Sequence, residues 1–444
     1  MKNHRLHLAL ASLLAVAMVA VPGHSQTVNL DAETAARMAV EASTLTTAAA
    51  DRVEASQSTV KAADAARLPV LIANAGYTRH SAVPEFGVPT ENPNEPVFIL
   101  FPNIQNHYRV DLSVSQPIYT GGAISAGREA ARTDESAATW SQSRTALDLG
   151  YSARTLYWSA VAAAAGVEVA EAQIERTQRL LDDARALREA GMAVNADVFA
   201  AEARSSAAEV DIIRTRNEEA QALERLRSLL GIAANTMISL AGNGTEEIPQ
   251  TPSPRPDLEK SALDNRPELK IADAYIEGLG ARARSVNAAR KPMVAATGQY
   301  LLARPNQRFL PPVDERNDSW MVGIAASWQL FDGSRAKEQV ATVQAEQRAM
   351  QQDRSEFERQ IRLEVATARL ELESALKAMA SADASAAAAK AWEETSSERY
   401  AAGLAMLSEL LDAQVDLAAA EMAQVRSRAS AWLADAALRR AVGR

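Results

Sequence analysis

The chain has 444 residues, of which 47% are hydrophobic and 5% aromatic, and its 56 acidic residues outnumber its 47 basic ones. The resulting net charge of −9 repels phosphate backbones, so no nucleic-acid partner is expected. The lack of cysteine excludes disulfide bonds, thiolate metal sites and the lipid-anchoring cysteine of a lipoprotein.

Residues 1–25 have the pattern of a secretory signal peptide. Lys2 and Arg5 form a basic start, 6–21 is an apolar run, and Gly23 and Ser25 are small residues before a cleavage point. The chain is therefore expected to be exported. No later stretch reaches the roughly 18 consecutive apolar residues of a spanning helix, so any crossing of a membrane must be made by strands.

Proline divides the remaining chain into two similar halves. The tracts 118–248 and 313–444 contain no proline, so each can hold very long helices. Between them, 232–256 is rich in Gly, Asn, Thr and Pro, which predicts a linker. We therefore expect a first repeat over 26–231 and a second over 257–444.

A constant offset of 212 residues relates the two halves. The pairs at this offset are Ser115 and Ser327, Gly121 and Gly333, Gly191 and Gly403, and Gly231 and Gly443. Alanine-rich helices match one another by chance, but glycines in a fixed register do not, so the pattern indicates an internal duplication.

Each half is predicted to contain the same elements in the same order. A first helix is followed by a strand pair joined by a polar loop, a very long helix and a shorter helix. In the first repeat these are about 30–66, about 69–80 and 107–119, about 123–190, and about 194–230. In the second they are about 257–290, about 292–304 and 319–331, about 334–402, and about 406–442.

The predicted strands have the length and alternation of membrane strands. They contain about ten residues, the number that crosses a bilayer at a tilt. Aromatic residues near their ends fit interfacial girdles: Tyr77, Tyr108, Tyr119, Tyr300, Trp320 and Trp328. The loops 81–106 and 305–318 are then expected outside the cell. A soluble sandwich uses similar residues, although two isolated hairpins make a poor sandwich core.

The predicted long helices span about 100 Å each, too long for a globular domain. Apolar residues in the last helix recur at alternating spacings of four and three: Leu411, Val415, Ala418, Met422, Val425, Ala429, Trp432 and Ala436. This heptad pattern requires a partner helix, and its small residues favour many helices packed side by side in a wall.

Four motifs resemble the TolC family of outer-membrane efflux and secretion channels. GMAVNADVFAAEA from Gly191 and GLAMLSELLDAQ from Gly403 resemble the two helix-turn tips of that family, and SQPIYTGG and SWQLFDGS resemble its strand-to-helix junctions. The resemblance implies a mainly helical, internally duplicated homotrimer in the outer membrane of a Gram-negative-type cell. Each chain would give four strands to a shared 12-stranded barrel, continued by a coiled-coil tunnel across the periplasm.

The same resemblance implies a function and partners. The protein would be the exit duct of a tripartite efflux or type I secretion system, conducting substrates passively from an inner-membrane transporter through a periplasmic adaptor. The tips around Gly191, Val194, Gly403 and Met406 are expected to dock the adaptor, because they are the only turns at the far end of the long helices. The alternative is an exported soluble trimeric coiled-coil protein with a structural or adhesive role.

The resemblance also assigns roles to charged residues near the tips. Glu409 and Asp412 match acidic positions at the periplasmic entrance, where three chains would form two carboxylate rings that favour cations. Solvated acids near a helix start are the plainer interpretation. Asp197 and Tyr400 match positions that restrain the closed state. Some members have an arginine two residues after the second tip glycine, but here this position is Ala405.

No catalytic, cofactor or metal site is predicted. His80 and His107 are the only histidines beyond the signal segment and fit polar residues at strand ends. GAISAGRE from Gly122 lacks the Lys-Ser/Thr pair of a phosphate-binding loop. We therefore expect no enzyme activity.

Overall fold

A computed structural model describes residues 27–89, 91, 96–241 and 248–444. The predicted signal peptide and parts of the predicted loop 81–106 and linker 232–256 lie outside the described residues. The helices are α1 Ala32–Ala42, α2 Thr44–Ala65, α3 Ala123–Glu189, α4 Asn195–Leu230, α5 Arg255–Asn265, α6 Pro267–Asn287, α7 Arg335–Ala401 and α8 Leu407–Ala441. The strands are β1 Thr27–Leu30, β2 Val70–Arg79, β3 Phe86–Val88, β4 Phe98–Phe101, β5 Asn106–Tyr119, β6 Met237–Leu240, β7 Met293–Arg304 and β8 Asn317–Ser327.

The first helix predicted for each repeat is in fact two helices. Ser43 adopts an extended conformation between α1 and α2, and its hydroxyl accepts a hydrogen bond from the Leu45 N–H at 3.1 Å, which caps α2. In the second repeat, Arg266 is extended before Pro267, since proline disfavours a helical conformation in the preceding residue. The predictions of single helices over 30–66 and 257–290 are therefore wrong.

Four strands form one antiparallel sheet in the order β2-β5-β7-β8. Tyr77 lies opposite Tyr108 in the β2–β5 pair, and Tyr300 lies opposite Trp320 in the β7–β8 pair. One face of β5 is apolar and the other is polar, as the alternation predicts. The large apolar side chains of the sheet, including Val322, are mostly exposed in the single chain. Such a patch is typical of a surface that contacts lipid or protein.

Strand β8 ends at Ser327, four residues before the predicted limit. The indole N–H of Trp328 donates instead to the carbonyl oxygen of Arg290 at 3.1 Å, beside the end of α6. The chain therefore leaves the sheet at the point where Trp328 bonds to the turn that follows α6.

The long helices α3 and α7 contain 67 residues each, which corresponds to about 100 Å. Helix α3 packs against α2 and α6 along one half of its length and against α4 and α8 along the other. Helix α7 packs against α6 and α8. The helices thus form one layer in the order α2/α4, α3, α6/α8, α7, in which pairs of shorter helices match one long helix.

Small and branched apolar residues form the core of this layer. In the second repeat, Val365 and Leu372 of α7 are buried with Ala431 and Leu438 of α8. The heptad pattern predicted in α8 lies on a different face: its members are mostly half-buried, and Trp432 stacks on Trp158 of α3. The predicted stripe therefore marks the contact with the first repeat, while a second stripe contacts α7.

Two strand pairs were not predicted. Strand β6, inside the predicted linker, pairs in parallel with β1, so the linker is fastened to the start of the first repeat. Strands β3 and β4 form a short hairpin within the loop between β2 and β5. Among the helices in the described ranges, none has both the length and the apolar character needed to cross a bilayer.

Candidate channel tip

Two glycine turns connect the long helices to the shorter ones at the end far from the sheet. Gly191 and Gly403 have φ angles of 76° and 71°. The N–H of the following residue in each turn bonds back to the helix, Met192 to the Leu187 carbonyl and Leu404 to the Arg399 carbonyl, both at 2.8 Å. This is the Schellman arrangement, which favours glycine because its φ is positive.

Both turns expose apolar side chains. Val194 and Met406, two of the residues predicted to dock a partner, are 62% and 74% exposed. Met192 and Leu404, next to the glycines, are exposed to a similar degree. Exposed side chains of this kind, repeated at both turns, suit a contact surface.

The two predicted ring residues differ in their surroundings. Glu409, in the first turn of α8, forms an ion pair with Arg399 at the end of α7. Asp412 is exposed and makes no hydrogen bond or ion pair with any residue that the structure describes. Glu409 therefore carries a compensated charge, whereas that of Asp412 faces solvent.

Arg399 places a basic group beside the second tip, where Ala405 has none, and the sequence reasoning missed this residue. Its guanidinium also approaches the Leu404 carbonyl at 3.4 Å. The sequence contained a signal for this contact, because Arg399 lies in the last turn of the predicted long helix. A basic residue there interacts favourably with the free carbonyl groups at the helix end.

Asp197 and Tyr400 lie near the junction of the two repeats. The Asp197 carboxylate accepts a hydrogen bond from the Val194 N–H at 3.2 Å, which caps α4. Tyr400 is half-buried and packs against the cluster containing Leu180 and Leu410. Burial raises the pKa of the Tyr400 phenol, and the negative charge of Asp197 raises it further. The restraint of a closed state by these two residues stays a prediction.

The predicted aromatic residues lie near both ends of the sheet. Tyr77 and Tyr108 contact each other with ring centroids 5.0 Å apart, toward the loop end. Tyr119 and Trp328 lie at the opposite end, next to the helices, and both are exposed. The arrangement suits two girdles at the edges of a bilayer, which stays a prediction.

The two histidines lie together at the loop end of the sheet. The rings of His80 and His107 have centroids 4.4 Å apart, and a ring nitrogen of His107 lies 3.0 Å from the Ile104 carbonyl oxygen. Within the described ranges, no group of three or more metal-ligating side chains is arranged to hold a metal ion.

The chain is similar in sequence to one protein family. The model of that family, described as outer membrane efflux protein, matches residues 37–232 and 258–444, once in each half of the chain. No curated protein matches the chain significantly.

Solved structures share the fold at low sequence identity. The channel CusC is 17% identical with a TM-score of 0.77, and the match covers 93% of this chain and 92% of that one. The outer membrane protein VceC from Vibrio cholerae is 19% identical with a TM-score of 0.74, covering 93% and 96%. The outer membrane channel CmeC from Campylobacter jejuni is 15% identical with a TM-score of 0.74, covering 100% and 94%. The predicted mainly helical, duplicated channel fold is thereby confirmed.

Proposed function

Because the chain belongs to the outer membrane efflux protein family, we propose that three copies assemble into an exit duct for an inner-membrane transporter, reached through a periplasmic adaptor. Family membership places the protein in the outer membrane with its helices in the periplasm, and it identifies a channel, not an enzyme. These points confirm the predicted location and lack of catalysis, and they argue against a soluble structural protein.

The order of the strands in the sheet and of the helices in the layer supports the proposed assembly. The sheet ends in β2, from the first repeat, and β8, from the second. The helical layer ends in the same way, with α2 and α4 on one side and α7 on the other. Each unpaired backbone group at a sheet edge in lipid costs several kcal/mol. Pairing of β2 with β8 of the next copy removes both edges, and three copies give twelve strands.

The outer faces of the edge helices support the same contact. On α4, Phe199, Val210 and Ile213 lie on one stripe and are 66%, 66% and 69% exposed. On α7, Leu363 and Leu370 are 67% and 60% exposed and lie two turns apart on one face. Packing of α4 on α7 of the next copy buries both stripes. Such head-to-tail contacts close into a ring.

The position and exposure of the tips support docking of the adaptor there. They are the turns at the far end of helices about 100 Å long, and their apolar side chains are exposed. We propose that Gly191 and Gly403 set the shape of the two turns, and that Val194 and Met406 provide the apolar contacts.

The proposal is tested with the full chain extracted from outer membranes. The expected results are a trimeric mass in mild detergent and single-channel conductance in planar bilayers. Photocrosslinkers at Val194 and Met406 should capture a periplasmic protein that co-purifies with an inner-membrane transporter, while a crosslinker at Glu338, near the sheet end of α7, should not. A monomeric, non-conducting protein would contradict the proposal.

A further inference from the structure

A cavity of about 440 Å³ lies between α3 of the first repeat and α8 of the second. The stacked rings of Trp158 and Trp432 form one side, with centroids 4.3 Å apart and planes inclined by 8°. Leu240 and Ile248 approach from the connection between the repeats. The volume is in the range of sites for small organic molecules, roughly 300–1,000 Å³.

Most of the charged groups around the cavity are neutralised by neighbours. Glu421 forms two hydrogen bonds with the Arg176 guanidinium, at 2.6 and 3.2 Å. Arg428 pairs with Asp383 at 3.1 Å. Glu168 makes no ion pair or hydrogen bond with any residue in the described ranges. Among the described residues that line the cavity, Glu168, whose side chain is exposed, thus carries the one uncompensated charge, and this charge is negative.

The rest of the wall is largely apolar. Val161, Val169 and Val425 line it together with the indoles. An apolar surface beside a single unpaired carboxylate matches a molecule with an aromatic or aliphatic body and one positive group. An anion is disfavoured by Glu168, and a bare metal ion lacks further ligands here.

We propose that this cavity binds an amphiphilic organic cation, whose body packs against Trp158 and Trp432 while its positive group lies beside Glu168. The ligand contacts both repeats at once because the cavity lies between α3 and α8. Binding therefore stabilises the arrangement of the two repeats seen here by mass action. The inference concerns a site in the wall of a single chain, so it does not depend on the proposed assembly or transport partners.

The test measures equilibrium binding of ethidium to the full protein in lipid nanodiscs, by fluorescence anisotropy, with empty nanodiscs as background. We expect saturable binding to the wild type. Glu168→Gln should weaken it at least tenfold, because it removes the charge with little change in shape. Ala165→Phe, which fills the cavity, should weaken binding without any change of charge.

A matched control separates the site from general electrostatics. Glu175 lies on the same face of α3, two turns from Glu168, and does not line the cavity. Glu175→Gln should leave the affinity unchanged, and phenanthridine, a related uncharged ring system, should compete weakly. Unchanged affinity in Glu168→Gln, equal loss in Glu175→Gln, or no saturable binding by the wild type would overturn the proposal.

Discussion

Arg399 and Glu409 form an ion pair across the turn that joins α7 to α8, so that of the two predicted ring acids only Asp412 is left without a described partner. Arg399 is half exposed and Glu409 is about one third exposed. Water therefore screens the pair, and it contributes little to the stability of the fold. The two acids that the sequence assigns to one entrance therefore have different electrostatic consequences.

The first prediction concerns ion selectivity. Asp412→Asn should reduce the preference for cations over anions, because it removes the charge that no neighbour neutralises. Glu409→Gln should have a smaller effect, and Arg399→Ala should increase cation preference by releasing Glu409. The measurement is the reversal potential in planar bilayers under a salt gradient.

The relative effects of these three variants on ion selectivity test the prediction. If Glu409→Gln reduces selectivity more than Asp412→Asn, the ion pair does not set the charge of the tip. If all three variants keep the wild-type reversal potential, the tip is not the selective constriction. A shared loss of trimer mass would show a folding defect, so the mass is measured for each variant.

The second prediction concerns Tyr400 and Asp197. Tyr400→Phe and Asp197→Asn should raise the single-channel conductance if the junction of the repeats restrains the closed state. Asp197→Ala should also lower the stability of the tip by about 0.5–2 kcal/mol, because it removes a cap on α4. Comparison of Asp197→Asn with Asp197→Ala separates loss of charge from loss of the cap.

The same pair predicts a dependence on pH. Burial raises the pKa of the Tyr400 phenol above its ordinary value of 10.0, so the folded state prefers the protonated form. Its stabilising effect is complete below pH 10 and is lost as the pH rises through the folded-state pKa. Difference absorbance of wild type and Tyr400→Phe should show a tyrosine that ionises late. Asp197→Asn should shift that ionisation to lower pH. If it does not, the charge of Asp197 has no effect on the pKa of the Tyr400 phenol.

The sequence predicts the long elements of the fold well. Helices α3, α4, α7 and α8 begin and end within two residues of the predicted limits, because glycines with positive φ stop them and proline is absent inside them. The break at Ser43 was missed because alanine-rich periodicity continues across it and only the capping hydrogen bond reveals it. The break at Arg266 was missed although Pro267 marks it in the sequence.

The remaining features depend on distant parts of the chain. The pairing of β1 with β6 joins segments about 200 residues apart, and neither is long enough to give an alternating pattern. The pairing of Arg399 with Glu409 depends on the geometry of the turn, so residue types alone did not reveal it. The face that a helix presents to each neighbour was likewise ambiguous, as α8 shows with its two apolar stripes.

The third prediction concerns the contact between copies. Ile213→Lys places a charge in the exposed apolar stripe of α4 and should shift the trimer toward smaller species at low protein concentration. Glu218→Lys introduces the same side chain about 140° round the helix and should leave the trimer intact. Light scattering during size-exclusion chromatography measures both. Equal behaviour of the two variants would remove α4 from the interface.

The fourth prediction concerns Arg266, which is 4% exposed between α5 and α6. Its guanidinium pairs with Glu268 at 2.9 Å and Glu364 at 3.1 Å, and it donates to the Arg440 carbonyl at 3.2 Å. Arg266→Ala should lower the free energy of unfolding toward the lower end of about 3–5 kcal/mol, since both glutamates keep some contact with water.

A lysine at this position should not restore the stability. Arg266→Lys loses the planar fork that reaches two carboxylates and a carbonyl together. The matched control is Arg255→Ala, which removes an exposed partner of Glu259 while Arg362 still pairs with that glutamate, and it should cost only about 0–1 kcal/mol. Thermal unfolding followed by circular dichroism ranks the variants. If Arg255→Ala loses as much stability as Arg266→Ala, the buried ion pairs of Arg266 do not contribute more to stability than an ordinary surface pair.

The last prediction uses the duplication as its own control. Gly121 and Gly333 occupy equivalent turns between the sheet and the long helices, with φ angles of 63° and 66°. Alanine at either position is strained by about 1–2 kcal/mol because its φ is positive. A Cβ at Gly121 would also lie 2.7 Å from the Lys291 Cβ and 2.9 Å from the Ala288 carbonyl oxygen, whereas one at Gly333 meets no atom within 4 Å. Gly121→Ala should therefore lower the midpoint of thermal unfolding more than Gly333→Ala does. Equal shifts would mean that the backbone dihedral alone, and not the close approach of the 288–291 segment, requires glycine at this junction.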